Sequence, residues 1–165
     1  MGNNGESNAE KGTAFEDLIC YVFGKVSGIS ITQRDVLNVF SSEEIDIALW
    51  NEQKPNGLPF LPNILLVECK NWSQPVSSGE VSWFGRKLES RGKDYGILIA
   101  NMGITGNAQD LSSAHSIISS HLEKKRHIIV ITREDIKSLD KTDDLILLIK
   151  EKLCLLSATG SSLTK

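Results

Sequence analysis

Two carboxylates and a lysine stand near the ends of two predicted strands, where they could hold a divalent cation together. Glu68 and Lys70 end the apolar run at 63–72, and the strand period of two puts both side chains on one face. Asp46 is the only charged residue inside the alternating apolar pattern of the segment 41–51. Carboxylate oxygens bind hard cations such as Mg²⁺ and leave other positions to waters and phosphate oxygens. Lys70 could there orient or deprotonate an attacking water and offset charge on a pentavalent phosphate.

The segment between these strands decides whether the charged groups meet. Residues 51–63 hold three of the four prolines together with Gly57, which is typical of a loop that joins two neighbouring strands. An antiparallel hairpin would bring Asp46 beside Glu68, because each lies at the strand end far from the loop. Taken alone, Asp46 could equally be a structural carboxylate that accepts a backbone hydrogen bond.

A first helix is predicted before these strands, and it carries a further carboxylate, Glu16. Thr13 is a candidate N-cap, and Glu16 three residues later completes a capping-box pattern. Glu16 falls at the rim of the apolar stripe and could lean over the surface on which the helix packs. Two interpretations stay open, since Glu16 could cap its own helix or belong to a catalytic site. The apolar stripe consists of Phe15, Leu18, Ile19, Val22 and Phe23.

The rest of the chain alternates predicted helices and strands, which is typical of an α/β protein. One or two strand segments are expected between Ile29 and Phe40. A glycine-containing loop at 101–110 precedes a helix and gives only a weak phosphate-site pattern. The remaining predicted elements are helices at 77–92, 107–123 and 143–156, and strands at 95–100 and 127–132.

The composition indicates one domain, from residue 11 to residue 156. The chain has 165 residues, of which 40% are apolar, enough for a single core. We expect a disordered N-terminal tail at 1–10 and a flexible C-terminal tail at 157–165, because both segments lack apolar periodicity. Three widely spaced cysteines favour a reducing compartment, and no signal or membrane-spanning pattern is present, so we expect a cytoplasmic protein.

The net charge argues against strong, sequence-independent binding to nucleic acid. The net charge is −3, whereas such binding depends on phosphate neutralisation by Lys and Arg. Two locally basic stretches, 86–93 and 124–127, are candidates for a binding patch. Charge runs of this kind are more often solvated helix faces.

The order of these residues resembles the D…(D/E)xK signature of the restriction-endonuclease-like superfamily, and specifically its Mrr-like group. Asp46 is followed by Glu68-Cys69-Lys70, and the segment 12–16, GTAFE, resembles the GxxFE motif on the first helix of that group. The resemblance covers roughly residues 11 to 135. It implies a restriction-endonuclease-like α/β fold, with a central mixed β-sheet flanked by α-helices in an αβββαβ core and an additional αβα.

The resemblance also implies roles for individual residues. Asp46 and Glu68 would be metal ligands, with the Cys69 backbone carbonyl as a third and Glu16 supporting the metal or its water. Lys70 would serve the nucleophilic water. The implied cofactor is Mg²⁺, for which Mn²⁺ could substitute, and the implied substrate is DNA. This chain departs from many Mrr-like members in having Glu68 where they have Gln, and in approaching Asp46 through the acidic segment 41–44, SSEE.

The implied activity is that of a metal-dependent endonuclease that hydrolyses phosphodiester bonds, in restriction or defence against foreign DNA. A homodimer or a partner protein would then supply recognition. The alternatives are a catalytically inactive nucleic-acid-binding or assembly module of the same fold, and a nuclease that acts on RNA or is activated by a small nucleotide. The intact set of Glu16, Asp46, Glu68 and Lys70 favours the enzyme, because clustered charge brings a purely structural domain no benefit.

Overall fold

A five-stranded mixed sheet forms the centre of the protein. The computed structural model describes residues 7–108 and 112–163. The strands are β1 (Ile29–Leu37), β2 (Glu44–Asn51), β3 (Ile64–Lys70), β4 (Tyr95–Ala100) and β5 (His127–Ile131), and they lie in this order across the sheet. The first three strands are antiparallel, whereas β4 and β5 run parallel to β3.

Helices flank the sheet and confirm the expected αβββαβ core. The first of them packs on β1, β2 and β3, the second and third pack together, and the last packs on β5. A short fourth helix that the sequence pattern did not predict follows β5. The helices are α1 (Asn8–Gly24), α2 (Ser78–Ser90), α3 (Ala114–Glu123), α4 (Arg133–Lys137) and α5 (Thr142–Thr159). No helix among the described residues combines the length and the apolar character needed to cross a membrane.

The strands β3 and β4 lie inside the sheet and are deeply buried. Leu65 and Val67 on β3 are fully buried, as are Ile99 and Ala100 on β4. An interior parallel strand is covered on both faces, which is why these segments are continuous apolar runs. The charged residues at the carboxyl end of β3 are therefore fixed by a rigid core.

The hairpin between β2 and β3 is confirmed, and a buried asparagine closes its loop. The side chain of Asn51 donates to the carbonyls of Leu58, Leu61 and Pro62 at 2.8, 3.2 and 3.2 Å. These bonds satisfy backbone carbonyls that the loop would otherwise bury without partners. They hold the loop in one conformation. The loop in turn sets the register in which β2 and β3 pair, and this register aligns the two charged strand ends.

The first helix begins earlier than predicted, and the capping box expected at Thr13 and Glu16 is wrong. The helix starts at Asn8, where Ser7 and Glu10 form the capping box instead, with bonds of 3.2 and 2.6 Å. Thr13 lies inside the helix and donates to the Ala9 carbonyl at 3.1 Å. The helix begins at a serine cap six residues upstream of Thr13, because the spacing from Ser7 to Glu10 matches the same motif. Residues 8–10, expected in the N-terminal tail, thus form the first turn, and residues 1–6 lie outside the described residues.

The C-terminal segment that was expected to be flexible packs on the sheet edge as far as Leu163. The helix α5 continues to Thr159, and Ser161 and Ser162 beyond it are buried. The Ser162 hydroxyl accepts a hydrogen bond of 2.9 Å from the backbone N–H of Val130 on the edge strand β5. A serine-rich composition predicted fraying, but the Ser162 hydroxyl bonds the edge of β5, the last strand of the sheet. Residues 164–165 lie outside the described residues.

The third helix is shorter than the predicted helix at 107–123, because it begins at Ala114. The preceding backbone turns sharply, with φ of +97° at Gly106 and +50° at Ser113, and helix cannot continue through such angles. Residues 109–111 lie outside the described residues. The backbone amides at 101–107 therefore do not form the first turn of this helix, which removes the basis of the weak phosphate-site pattern.

Candidate active site

Asp46 lies beside the end of β3, as the predicted hairpin requires. The register pairs Ile47 with Val67 and Leu49 with Leu65, so the strand ends that carry Asp46 and Glu68 meet at one edge. The backbone N–H of Cys69 donates to Oδ2 of Asp46 at 2.7 Å. Asp46 thus has the structural hydrogen bond considered above, and that bond holds one carboxylate oxygen in place.

Two further carboxylates stand next to Asp46. One carboxylate oxygen each from Glu16, Asp35 and Asp46 can be chosen so that all three lie within 4.8 Å of one another. We call these three residues the carboxylate cluster. Asp35 lies opposite Asp46 on the neighbouring strand, because Arg34 pairs with Ile47 and Val36 pairs with Ile45. The helix α1 brings Glu16 to the same place, so Glu16 is part of the site and does not cap its own helix.

Asp35 was missed by the sequence analysis because β1 is irregular. The register between β1 and β2 shifts at Ile31 and Gln33, which breaks the alternation of residues along the strand. Asp35 itself has φ of +50°, a left-handed conformation that Asp tolerates better than most residues. A charged residue within a β-branched stretch was the only available signal, and it fits an exposed strand equally well.

The cluster makes the ionised form of its carboxylates unfavourable. Burial raises the pKa of Asp46 to about 7, and the nearby charges of Glu68 and Glu16 add to the effect, against the Cys69 N–H and Lys70. Burial and the charge of Asp35 also raise the pKa of Glu16, although Arg34 opposes them. Three acids that crowd one place in this way carry more negative charge than the surrounding residues neutralise.

Arg34 supplies the ion pairs that hold the outer side of the cluster. Its guanidinium bonds Glu16 at 3.3 Å and Asp17 at 2.7 Å. Asp17 is well exposed and does not belong to the cluster. Arg34 therefore ties α1 to β1 and neutralises part of the charge of Glu16, while no ion pair to Asp35 or Asp46 occurs among the described residues.

Glu68 occupies a different environment, in which lysines surround one of its oxygens. Its side chain is buried, and Oε1 accepts from Lys87 at 2.9 Å and from Lys70 at 3.2 Å. We call Glu68, Lys70 and Lys87 the lysine–glutamate network. The predicted proximity of Glu68 and Lys70 is confirmed. The other oxygen, Oε2, is buried and has no hydrogen-bond partner among the described residues.

Lys87 was also missed as a site residue. It lies on α2 and is 5% exposed, although the basic stretch 86–93 had been interpreted as a solvated face or a binding patch. A signal was present, because Lys87 follows Phe84 by three positions and precedes Leu88 on the apolar side of the helix. A lysine on a buried helix face indicates a buried anion to pair with it.

The acidic approach to Asp46 is partly neutralised within the protein. Arg91 bonds the carboxylate of Glu43 at 2.6 Å, and the Ser90 hydroxyl donates to the same oxygen at 3.1 Å. This contact is only partly buried. Through it, the charge of Glu43, which would repel phosphate, becomes part of an ion pair with Arg91. The basic stretch 86–93 thus serves two neighbouring acids, through Lys87 and Arg91.

Lys70 is held as a cation by the acids around it. Burial lowers its pKa, but Glu68, Glu80 and Asp46 outweigh that effect, and the net pKa is raised. Its ammonium lies 3.6 Å from Glu80 and above the ring of Trp72 at 5.3 Å. Lys70 is therefore charged at neutral pH and better suited to orienting a water or offsetting phosphate charge than to removing a proton.

The residues present fit a divalent cation by the chemistry of their donors. The site offers three clustered carboxylates and one buried carboxylate oxygen with no partner, all of which are hard oxygen ligands. The Cys69 thiol is no competing ligand, since burial and the neighbouring Asp46 raise its pKa and keep it protonated. A cation bound here would offset both the burial and the nearby negative charges that raise the pKa of Asp46.

The sheet order and the charged ends of β2 and β3 define a restriction-endonuclease-like α/β nuclease fold. The Mrr catalytic-domain model, whose description is restriction endonuclease, matches residues 8–139. The match covers most of the chain, which therefore belongs to this restriction endonuclease family. No curated protein and no solved structure matches the chain.

Proposed function

We propose that the protein is a metal-dependent endonuclease of the D…(D/E)xK type that hydrolyses phosphodiester bonds in DNA, in restriction or defence. Membership of the restriction endonuclease family supports nuclease chemistry. The observation that carries the metal dependence is the uncompensated charge at the strand ends. Asp35 and Asp46 form no ion pair with any described residue, and Oε2 of Glu68 has no hydrogen-bond partner among them. Such charge is costly to bury unless a ligand neutralises it.

We assign Mg²⁺ as the ion, with Mn²⁺ as a substitute, and the chain offers more ligands than the resemblance implied. Asp46 and Glu68 would hold it, with the Cys69 carbonyl as a further ligand. Glu16 and Asp35 would support it or its waters. When bound, the metal lowers the pKa of a coordinated water and neutralises charge on the phosphate.

The other groups have roles that follow from their contacts. Lys70 orients the attacking water and stabilises the additional negative charge as the phosphate becomes pentavalent. Water attacks phosphorus and one P–O ester bond breaks, which yields a phosphate monoester and a hydroxyl. Lys87 fixes Oε1 of Glu68, which leaves Oε2 for the metal and keeps Lys70 in reach of the water.

Recognition and assembly belong to the proposal as well. A homodimer with two-fold symmetry would place two sites on the two strands of a duplex, and a partner protein is the other source of recognition. We place the protein in the cytoplasm, where the three free cysteines, Cys20, Cys69 and Cys154, would stay reduced.

The decisive experiment is cleavage of supercoiled plasmid, linear duplex, single-stranded DNA and RNA, each in Mg²⁺, in Mn²⁺ and in EDTA. The parent should cut DNA only with metal, and Asp46→Ala and Lys70→Ala should each reduce the rate by roughly a thousandfold. Asp17→Ala is the matched control, because Asp17 lies beside the site but outside the cluster. It should cut like the parent.

The same samples separate the alternatives. Cleavage of RNA without cleavage of DNA would assign a ribonuclease instead. No cleavage of any substrate, together with no rise in Tm on adding Mg²⁺ or Mn²⁺, would assign the inactive binding module. A metal-induced rise in Tm that Asp46→Ala abolishes would locate the metal even if the substrate were wrong.

A further inference from the structure

A groove of about 500 Å³ lies beside the candidate active site, between the start of α1 and the short helix α4. Its charged lining residues are Lys11, Arg133 and Lys137, and its amide side chains are Asn71 and Asn101. Apolar groups, including Phe15, complete its lining. No acidic residue lines the groove among the described residues. This distribution is unusual in a chain whose net charge is −3.

The groove is continuous with the active site through the backbone. Asn71 directly follows Lys70, and its side chain donates to the Lys11 carbonyl at 3.3 Å. The backbone N–H of Asn101 donates to the Lys70 carbonyl at 3.0 Å, and the N–H of Arg133 donates to the Asn101 carbonyl at 3.3 Å. The carboxyl ends of β3, β4 and β5 thus meet at one edge and lead from Lys70 to the cations.

Two of the three cations have no competing ion pair. Lys11 and Arg133 are exposed and form no salt bridge with any described residue, whereas Lys137 lies 3.6 Å from the exposed Glu134. Such a solvent-exposed pair contributes little and is easily exchanged for another anion. The groove therefore presents three cations that are available to a ligand.

We propose that this groove binds backbone phosphates of the nucleic acid next to the scissile bond, an inference that rests on the proposed function. The carboxylate cluster repels phosphates beyond the one that the metal contacts, so the neighbouring backbone needs a cationic surface close by. The groove supplies that surface at the correct end of the sheet. Its amides can donate to phosphate oxygens, and Arg133 can donate in the two-pronged manner that matches a phosphate.

The test compares the triple variant Lys11→Ala, Arg133→Ala and Lys137→Ala with a matched triple variant of equal charge. The matched variant changes Lys54, Lys124 and Lys150, which are exposed and lie near the opposite ends of the strands. Binding of a fluorescent DNA duplex is measured by anisotropy in Ca²⁺, over a series of salt concentrations. Cleavage in Mg²⁺ and the metal-induced change in Tm are measured on the same samples.

The groove variant should bind at least about tenfold more weakly, and its slope of log K against log salt should be shallower by about 2 to 3. The matched variant should keep the parent slope. The metal-induced change in Tm should be the same in all three proteins, since the groove holds no metal ligand. The charge-preserving variant Lys11→Arg and Lys137→Arg, which keeps Arg133, should bind like the parent.

Each other outcome has a distinct meaning. If the groove variant binds and cuts like the parent, the groove proposal is overturned and the nuclease assignment stands. If the variant loses binding to poly-glutamate but not to DNA, the groove serves an acidic protein and the proposal is overturned. If the parent neither binds nor cuts nucleic acid, the proposed function fails and this inference fails with it.

Discussion

The two halves of the candidate active site treat buried charge in opposite ways. In the lysine–glutamate network, Glu68 is buried but two lysines contact one of its oxygens at 2.9 and 3.2 Å. In the carboxylate cluster, three acids crowd together, and among the described residues only Glu16 has an ion-pair partner, Arg34. The first half is neutralised within the chain, and the second half is not.

This difference distinguishes a carboxylate that is held in one geometry from carboxylates that are suited to binding a cation. A buried carboxylate that is paired internally costs less and stays fixed in one geometry. Carboxylates that repel one another gain most from an external cation, as the raised pKa of Asp46 indicates. Oε2 of Glu68 is the exception in the network, because it is buried and has no partner among the described residues.

The largest effect is expected from breaking the lysine–glutamate network. Lys87→Met keeps the apolar length of the side chain but removes the cation that contacts Glu68 at 2.9 Å. A buried carboxylate would then depend on Lys70 alone, and we expect the free energy of unfolding to fall by about 3 kcal/mol. Urea unfolding in EDTA measures the change.

Two further variants serve as controls for that result. Arg86→Met on the exposed side of the same helix should change the free energy of unfolding by less than about 1 kcal/mol. Lys87→Met combined with Glu68→Gln should recover part of the loss, because the buried charge is gone. A Lys87→Met protein as stable as the parent would show that Lys87 does not neutralise Glu68.

An intermediate effect is expected from the pH dependence of the carboxylate cluster without metal. The pKa of Asp46 rises from 3.8 to about 7 on folding, so its stabilising effect is complete at low pH and is lost as pH rises towards 7. Relative to Asp46→Asn, the parent should lose about 1 to 2 kcal/mol between about pH 5 and about pH 8, allowing for solvent screening. Saturating Mg²⁺ should remove that loss.

The titration of Asp46 depends on burial and on four neighbouring groups. Burial raises its pKa most, and Glu68 and Glu16 raise it further, whereas the Cys69 N–H and Lys70 lower it. Urea unfolding of both proteins in EDTA over the pH series measures the difference. A difference between parent and variant that does not change with pH would mean that Asp46 is not the titrating group.

The smallest effect is expected from Asp35, and its sign is opposite to that of Lys87. Asp35→Asn removes a negative charge that lies opposite Asp46, so the metal-free protein should become more stable by about 0.5 to 1 kcal/mol. The rise in Tm on adding Mg²⁺ should become smaller in the same variant, because the cluster has lost an anionic group. Differential scanning fluorimetry with and without metal measures both.

Asp17→Asn provides the matched comparison for Asp35→Asn. Asp17 is an acid paired with Arg34, but it lies outside the cluster. Its substitution should leave the metal-induced rise in Tm unchanged and should not stabilise the metal-free protein. Equal behaviour of the two variants would exclude Asp35 from the metal site.

Much of this arrangement could be predicted from the chain, because it depends on local periodicity. The segments that form β3 and β4 are apolar runs of strand length, and the segment that forms α2 has helical spacing. Each element lies within two residues of the predicted bounds. The hairpin brought Asp46 and Glu68 together as expected. Glu16 was placed at the rim of the apolar stripe of the first helix, although the N-cap of this helix lies six residues further upstream than predicted.

The missed residues share one physical cause, which is contact between elements that local pattern does not encode. Lys87 had a helical position that indicated burial, but its partner Glu68 lies on a strand of another segment. Asp35 lies after a register shift that removes the alternation. Ser162 accepts a hydrogen bond from the edge strand β5, and this edge is formed only when the sheet is assembled.

Residue types and their spacing along the chain were enough to predict the order of helices and strands apart from α4, the acids and Lys70 at the strand ends, and the resemblance to the family. The tertiary structure was needed to show which acids are neutralised, because electrostatic free energy depends on distance and burial in space. It paired Glu68 with Lys87, added Asp35 to the cluster and collected Lys11, Arg133 and Lys137 into one groove.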